Sequence, residues 1–197
     1  MDDTPVNVLA VVGSLQRESA TRAVLKRAVD QLAGCGCAAD LWDLLKEPLP
    51  LFNPDTCAEL PEYAKHCDRV DRADVYLLGT PDYHGSISGS LKNFLDFFWH
   101  EFAGKLMVTV VASHEKGLTV TDQLRTIARQ CYAWTLPYGL SCMKDTDVKP
   151  DGALGPKFAR NLEMMVRDVR VYGALLARQR RADLAGAEAG FLARHRK

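Results

Sequence analysis

Segments typical of buried strands alternate with amphipathic segments along most of the chain, and this alternation is the feature that most limits the possible folds. The first buried strand is predicted at 6–12, where the sequence VNVLAVV is almost continuously aliphatic. An amphipathic helix is predicted at 20–32, and Gly34 and Gly36 end it. A strand that is apolar on both faces is typical of a parallel sheet covered by helices on both sides.

The same alternation continues to about residue 181. Further strands are predicted at 38–43, 74–79, 105–112 and 135–143, and further helices at 61–72, 90–102, 120–131 and 155–181. Strand-helix-strand connections within one sheet are right-handed, so this order predicts a doubly wound α/β fold. The specific expectation is a flavodoxin-like three-layer sandwich with a five-stranded parallel sheet in the order 2-1-3-4-5.

Length and composition favour one domain. A chain of 197 residues with 47% hydrophobic and 25% charged residues is ordinary for a globular protein. We expect a single domain over 1–197, in which 183–197 forms a C-terminal extension or a mobile tail. Lys and Arg number 25 and Asp and Glu also number 25, so no excess of basic charge favours binding to nucleic acid or to a membrane. Basic residues concentrate in 155–197. This segment is interpreted either as a solvated helix and tail or as a contact surface.

The sequence also indicates a cytoplasmic protein. No stretch approaches the roughly 20 apolar residues of a membrane span, and the acidic N-terminal segment does not resemble a signal peptide. The six cysteines are therefore predicted to be thiols. They contain no C-x-x-C pair, so no metal site is predicted.

The loop after the first strand has the composition of an anion site. Residues 13–21 place a glycine, three hydroxyl side chains and an arginine between a strand and the N-terminus of a helix. Free N–H groups and the positive end of the helix dipole favour a phosphate at such a place. The alternative is that Ser19 or Thr21 only caps the helix and that Arg17 is solvated. The loop contains neither a P-loop nor a G-x-G-x-x-G pattern.

Two more loops are predicted at the same edge of the sheet. The loop 80–89 carries a proline, an aromatic ring and glycines, which suit the edge and face of a flat ring such as a flavin. Tyr83 and His84 are otherwise plain loop residues. The loop 112–117 follows the fourth strand and is predicted to complete the pocket wall.

The run from Pro81 to Lys105 resembles the NAD(P)H-dependent FMN reductases, a flavodoxin-like family that includes quinone, azo-dye and chromate reductases. It contains the family's Pro-x-Tyr, a Leu-Lys-Asn-x-Leu-Asp at 91–96 and a downstream Gly-Lys. The similarity extends over about 6–143. One position departs from the family's usual GSLR or GSTR, because Gln16 stands in place of the arginine and Arg17 follows it. Either Arg17 reaches the phosphate, or the hydroxyls and the helix dipole hold it alone.

The resemblance implies a set of cofactor-binding residues. They are Ser14, Gln16, Arg17, Ser19, Ala20, Thr21, Pro81, Asp82, Tyr83, His84, Gly85, Ser113 and Gly117. Among them, Ser14, Ser19 and Thr21 are expected to bind the FMN phosphate. Tyr83 and His84 are expected to be the side chains nearest to the flavin ring, and no catalytic acid or base is required, because the cofactors carry the hydride transfer.

The implied function is an FMN-dependent oxidoreductase that works by a ping-pong mechanism. It would pass a hydride from NADPH or NADH to FMN and then electrons to a flavin, a quinone, an azo compound or a metal oxyanion. The alternative is a flavodoxin-like FMN electron carrier that does not turn over pyridine nucleotides. Phe97, Trp99 and Phe102 predict a second buried face on helix 90–102, and the family implies self-association through that helix to a dimer or tetramer.

Overall fold

The computed structural model describes residues 4–188 and contains a parallel sheet of six strands. The strands are β1 (Asn7–Val12), β2 (Ala38–Asp43), β3 (Val75–Pro81), β4 (Leu106–Ala112), β5 (Trp134–Thr135) and β6 (Leu140–Cys142). Their order is β2-β1-β3-β4-β5, and β6 also pairs with β4. The predicted flavodoxin-like order 2-1-3-4-5 is therefore confirmed.

Helices cover both faces of the sheet. The helices are α1 (Ala20–Gly34), α2 (Tyr63–Asp71), α3 (Gly89–Phe97), α4 (Leu118–Gln130) and α5 (Pro156–Ala185). Side chains alternate along β1, so that Val8 and Ala10 pack toward α1 and α5, whereas Leu9 and Val11 pack toward the other three helices. Both faces of the strand are buried, as its aliphatic sequence predicted.

The prediction of one fifth strand over 135–143 is wrong. Two short strands, β5 and β6, pair with different parts of β4. Pro137 lies between them and cannot donate a backbone hydrogen bond to a neighbouring strand. Gly139 passes so close to Thr109 that a Cβ atom at position 139 would lie 2.1 Å from the Thr109 Oγ1. The chain therefore bends away between two short contacts with the sheet.

The prediction of one continuous helix over 90–102 is also wrong. Helix α3 ends at Phe97, Phe98 is extended with φ −128° and ψ 137°, and a short 3₁₀ turn spans His100–Phe102. Phe97 is buried against Phe52, with ring centroids 5.1 Å apart, under the proline-rich loop that precedes α2. Phe102 is fully buried in the chain's own core, whereas Trp99 is 49% exposed. Self-association through 90–102 stays a prediction.

A buried lysine holds the opposite, amino edge of the sheet together. Lys105, the lysine of the Gly-Lys pair, is only 2% exposed. Its Nζ donates to the Asp71 carbonyl oxygen at 2.5 Å and lies 3.3 Å from the Tyr76 hydroxyl. Burial lowers the pKa of Lys105 to about 8 in spite of the attraction of the Asp71 carboxylate. A cation at the C-terminal end of α2 also suits the helix dipole.

Helix α5 runs four residues beyond the predicted end at 181. Residues 183–185 of the predicted tail thus belong to a helix, and 189–197 lie outside the described residues. Within residues 4–188, none of the helices has an apolar stretch long enough to cross a membrane.

Candidate functional site

A cavity of about 190 Å³ opens at the carboxyl edge of β1, β3 and β4, where the three loops of interest meet. Its lining residues come from all three loops and from the segment after β6: Ser14, Gln16, Ser19, Ala20, Thr21, Pro81, Asp82, Tyr83, Ala112, Ser113, His114 and Lys144. Backbone hydrogen bonds tie the loops together. The Gly13 amide donates to the Gly79 carbonyl at 2.7 Å, and the Asp82 amide donates to the Ala112 carbonyl at 2.8 Å.

The first loop presents the N-terminus of α1 to this cavity. Ser19 is the N-cap residue, and its hydroxyl accepts a hydrogen bond from the Arg22 amide at 3.3 Å. The first turn of α1 contains no acidic residue. Thr21 is 1% exposed, and its Oγ1 atom has no hydrogen-bond partner among the residues that the structure describes. A buried hydroxyl beside the positive end of a helix dipole, left without a partner, fits an anionic ligand.

Arg22 organises the backbone of the first loop. It is 8% exposed, and its Nε and Nη2 form a salt bridge with the Asp43 carboxylate at 2.7 and 3.1 Å. Its Nη1 donates to the carbonyls of Gln16 at 2.5 Å and Arg17 at 3.1 Å, and its Nη2 donates to the Ser14 carbonyl at 2.9 Å. The three loop carbonyls therefore point to one guanidinium rather than to the ligand side.

The Asp43 carboxyl is ionised at neutral pH. Burial opposes the charge on Asp43, but the hydrogen bonds from Arg22 and from the Leu45 amide hold the pKa of the Asp43 carboxyl below its usual value. Arg22 was not among the site residues predicted from the sequence. A usable signal was present. A cation in the first turn of a helix is unfavourable unless it has nearby acceptors, and Asp43, at the end of the strand that neighbours β1, is such an acceptor.

The second loop is a tight hairpin. Tyr83 and Ser86 exchange two backbone hydrogen bonds of 3.0 and 3.1 Å, and His84 and Gly85 between them have φ of 56° and 74°. Two positive φ values in a two-residue loop define a type I′ turn, which explains the glycine. Asp82 braces the turn, because its carboxylate accepts from the Gly85 amide at 2.8 Å and from the Ser113 hydroxyl at 2.9 Å.

The start of α3 locks the first and second loops to each other. Ser88 is the N-cap of α3, and its hydroxyl accepts a hydrogen bond from the Leu91 amide at 3.3 Å. The hydroxyls of Ser88 and Ser90 both donate to the Gly13 carbonyl at 2.6 Å. A Cβ atom at position 13 would lie 2.7 Å from the Leu91 Cβ, so only glycine allows this approach. The first and second loops are thus held together by close backbone packing and by two hydroxyl hydrogen bonds.

Most of the predicted cofactor-binding residues line the cavity, and four do not. Arg17 lines a neighbouring cavity of about 360 Å³. His84 and Gly85 form the tip of the hairpin, and Gly117 is the left-handed N-cap of α4, where a Cβ would lie 2.8 Å from the Val111 Cγ1. The sequence analysis did not name Lys144, which comes from a segment far along the chain.

Among residues 4–188, no group of three or more His, Cys, Asp or Glu side chains is placed to hold a metal ion. At the α1 end, the polar groups of the cavity are hydroxyls, the Gln16 amide, backbone amides of a helix N-terminus and one lysine, which suits a phosphate, whereas Asp82 and His114 line it from the second and third loops.

The chain is similar in sequence to several reductases. The chain is 28% identical over 171 residues to an NADPH azoreductase of Bacillus sp. (strain OY1-2), which covers 85% of this chain and 92% of that protein. It is 31% identical over 137 residues to an FMN-dependent NADPH-azoreductase of Staphylococcus haemolyticus, which covers 66% of this chain and 72% of the relative. It is 39% identical over 92 residues to a quinone reductase of Pseudomonas putida, which covers 46% of this chain and 48% of the relative.

Solved structures support the fold. The flavoenzyme NAD(P)H:(acceptor) oxidoreductase FerB from Paracoccus denitrificans superposes with a TM-score of 0.71 at 22% identity, over 86% of this chain and 97% of that one. A flavodoxin from the domain Archaea superposes with a TM-score of 0.64 at 9% identity, over 86% of this chain and 99% of that one. Residues 6–146 match the family model of NADPH-dependent FMN reductases. Because this match spans more than half of the sequence, the chain belongs to the NADPH-dependent FMN reductase family, a family of oxidoreductases.

Proposed function

We propose that the chain is an FMN-dependent NAD(P)H oxidoreductase whose cofactor occupies the cavity at the carboxyl edge of the sheet. The observation that carries the proposal is the Thr21 hydroxyl, which is buried at the N-terminus of α1 without a partner among the described residues. A buried polar group of this kind costs free energy unless a ligand satisfies it. The phosphate of FMN supplies the acceptor that Thr21 lacks.

The lining residues divide into a phosphate end and a ring end. The hydroxyls of Ser14, Ser19 and Thr21 and the free amides of α1 would bind the phosphate. Pro81 and Tyr83 would lie beside the flavin ring, and Asp82 would position them through its bonds to the hairpin and to the third loop. Tyr83 is 44% exposed, so the ring end remains open to a second flat molecule.

The chemistry belongs to the cofactor, and the protein positions the reactants. Held by the residues of the cavity, FMN would supply the redox chemistry for transfer of a hydride from NADPH or NADH and of electrons to an acceptor. The two substrates would then use the open face beside Tyr83 in turn, which is a ping-pong mechanism. The protein contributes orientation and a polar surround of fixed amides. We propose flat or small acceptors, namely a flavin, a quinone, an azo compound or a metal oxyanion, because the face beside Tyr83 is open.

Visible spectroscopy of the purified protein tests the proposal. FMN added to the protein should bind with a shifted flavin absorbance, and anaerobic NADPH or NADH should then bleach that absorbance. Bound FMN that neither nucleotide bleaches would identify the protein as an FMN electron carrier and would reject the reductase. Absence of FMN binding would reject both functions.

A further inference from the structure

No arginine or lysine of the first loop or of α1 lines the phosphate end of the cavity. An FMN phosphate carries nearly two negative charges at neutral pH, whereas the helix N-terminus offers only about half a positive charge. Gln16 lines the cavity but is neutral. Arg22 is close but cannot turn to a ligand, because its Nε, Nη1 and Nη2 already make five hydrogen bonds, to Asp43 and to the three loop carbonyls.

Lys144 is the one lysine or arginine among the residues that line the cavity, which also include His114. It is exposed and forms no ion pair within the part of the chain that the structure describes, so its charge is available. Arg17, the sequence-based candidate, lines only the adjacent cavity. Lys144, Ser19 and Ala20 line both cavities, so Lys144 lies where the two cavities meet at the start of α1.

The backbone around Lys144 is fixed from both sides. Lys144 follows β6 by two residues, and the Cys142 carbonyl accepts from the Ser113 amide at 3.0 Å, which ties this segment to the third loop. The Met143 amide donates to the Asp147 carboxylate at 2.9 Å, and the Asp145 amide donates to the Val148 carbonyl at 2.8 Å. The backbone on both sides of Lys144 is thus held by hydrogen bonds, and its side chain is exposed.

We propose that Lys144 supplies the positive charge that binds the phosphate of FMN, and that it makes the site prefer FMN to the uncharged flavin. The inference rests on the proposed function. The buried, unpartnered Thr21 hydroxyl marks the phosphate position from the side of α1, and Lys144 approaches the same cavity from the side of β6. Arg17 remains outside, with its carbonyl bound to Arg22.

Titration with two ligands tests the proposal. The apoprotein and its variants are titrated with FMN and with riboflavin, which lacks the phosphate, and binding is followed by quenching of flavin fluorescence. Lys144→Gln should weaken FMN binding by about tenfold or more, because a hydrogen bond to a charged group is lost. Its riboflavin affinity should change by less than about twofold, and Lys144→Arg should retain most of the FMN affinity.

Lys149→Gln is the matched control, because Lys149 lies on the same segment and lines only the adjacent cavity. It should leave FMN affinity within about twofold. Equal FMN affinities for Lys144→Gln and Lys149→Gln would overturn the proposal, as would a tenfold loss in Arg17→Gln with none in Lys144→Gln. A wild-type protein that binds no FMN would instead overturn the proposed function. Thermal unfolding of each apoprotein verifies that the variants are folded.

Discussion

The two edges of the sheet each hold a buried cation, and the comparison shows how a binding site differs from a structural cluster. Arg22 at the carboxyl edge is 8% exposed, and Lys105 at the amino edge is 2% exposed. Around Lys105 the cluster is internally satisfied, because Asp71 and Tyr76 both contact its ammonium group. Beside Arg22, the Thr21 hydroxyl stays without a partner among the described residues.

Buried charge alone therefore does not identify a site. The cation at the carboxyl edge binds the carbonyls of Ser14, Gln16 and Arg17, and so leaves amides and hydroxyls for a ligand. The cation at the amino edge, Lys105, binds the Asp71 carbonyl at the end of α2 and the Tyr76 hydroxyl, so its hydrogen-bonding capacity is used within the protein. The two edges are separated by roughly 16 Å along β3, at about 3.3 Å per residue from Tyr76 to Pro81. Substitutions at one edge should thus leave the other intact.

The largest effect is expected for Arg22→Met. The change leaves the Asp43 carboxylate buried without its partner and should lower the free energy of unfolding by about 3 to 5 kcal/mol. FMN affinity should also fall, because the loop carbonyls lose their common donor. Urea unfolding and FMN titration measure the two effects.

The double variant Arg22→Met/Asp43→Leu separates stability from binding. It removes both charges and should regain most of the lost stability, while FMN affinity stays low. Recovery of FMN affinity together with stability would show that Arg22 does not organise the loop, and would weaken the contrast between the edges.

A smaller effect, on stability alone, is expected for Lys105→Met. The pKa of Lys105 is about 8 in the folded protein, below its usual 10.5, because burial disfavours the charge. Above pH 8 the unfolded chain therefore binds more protons than the folded chain, and the stability contributed at this position rises with pH up to about 10.5. Relative to Lys105→Met, the wild-type protein should gain about 2 kcal/mol between pH 7 and pH 9.5.

Urea unfolding of both proteins at the two pH values measures this difference. FMN affinity at pH 7 serves as the control and should be the same within about twofold, since the amino edge lies far from the cavity. A pH-independent difference in stability would mean that Lys105 titrates normally. A large loss of FMN affinity would mean that the two edges are coupled.

The smallest effect is expected for Thr21→Val. This change should not destabilise the apoprotein, but it should weaken FMN binding. Removal of an unpartnered buried hydroxyl should leave the apoprotein as stable as the wild type or slightly more stable. FMN binding should weaken by about tenfold, because a bond to the phosphate is lost. Thermal unfolding with and without FMN shows both; a destabilised apoprotein would mean that the hydroxyl has a structural partner.

Much of the fold was predictable because local pattern and tertiary environment agree there. The aliphatic run of β1 is buried on both faces, and β2 has the predicted bounds. The end of α3 at Phe97 was not predictable from the spacing of the apolar residues in 90–102. Phe98 and Phe102 fit a helical spacing, yet both are buried although they lie beyond the end of α3. The division of the fifth strand depends on the close approach of Gly139 to Thr109, which is a tertiary contact.

The site was predictable to the extent that it follows chain order. The hydroxyls of the first loop and the Pro-x-Tyr of the second lie where a strand meets a helix, and both reach the cavity. Lys144 was not predicted, because it lies on a segment about 120 residues beyond the start of α1, and no local sequence pattern indicates that this segment reaches the cavity. Arg22 was not predicted, although a basic residue in the first turn of a helix and an acidic residue at the end of the neighbouring strand were a usable signal. Its hydrogen bonds to the loop carbonyls are tertiary contacts, which the sequence does not show.

Amide hydrogen exchange with and without saturating FMN tests most directly whether the carboxyl edge is the binding edge. The account predicts FMN-dependent protection in the loops 13–21, 80–88 and 112–117, with no change around Lys105 and the end of α2. Protection centred on the amino edge, or saturating FMN that protects none of the three loops, would contradict it.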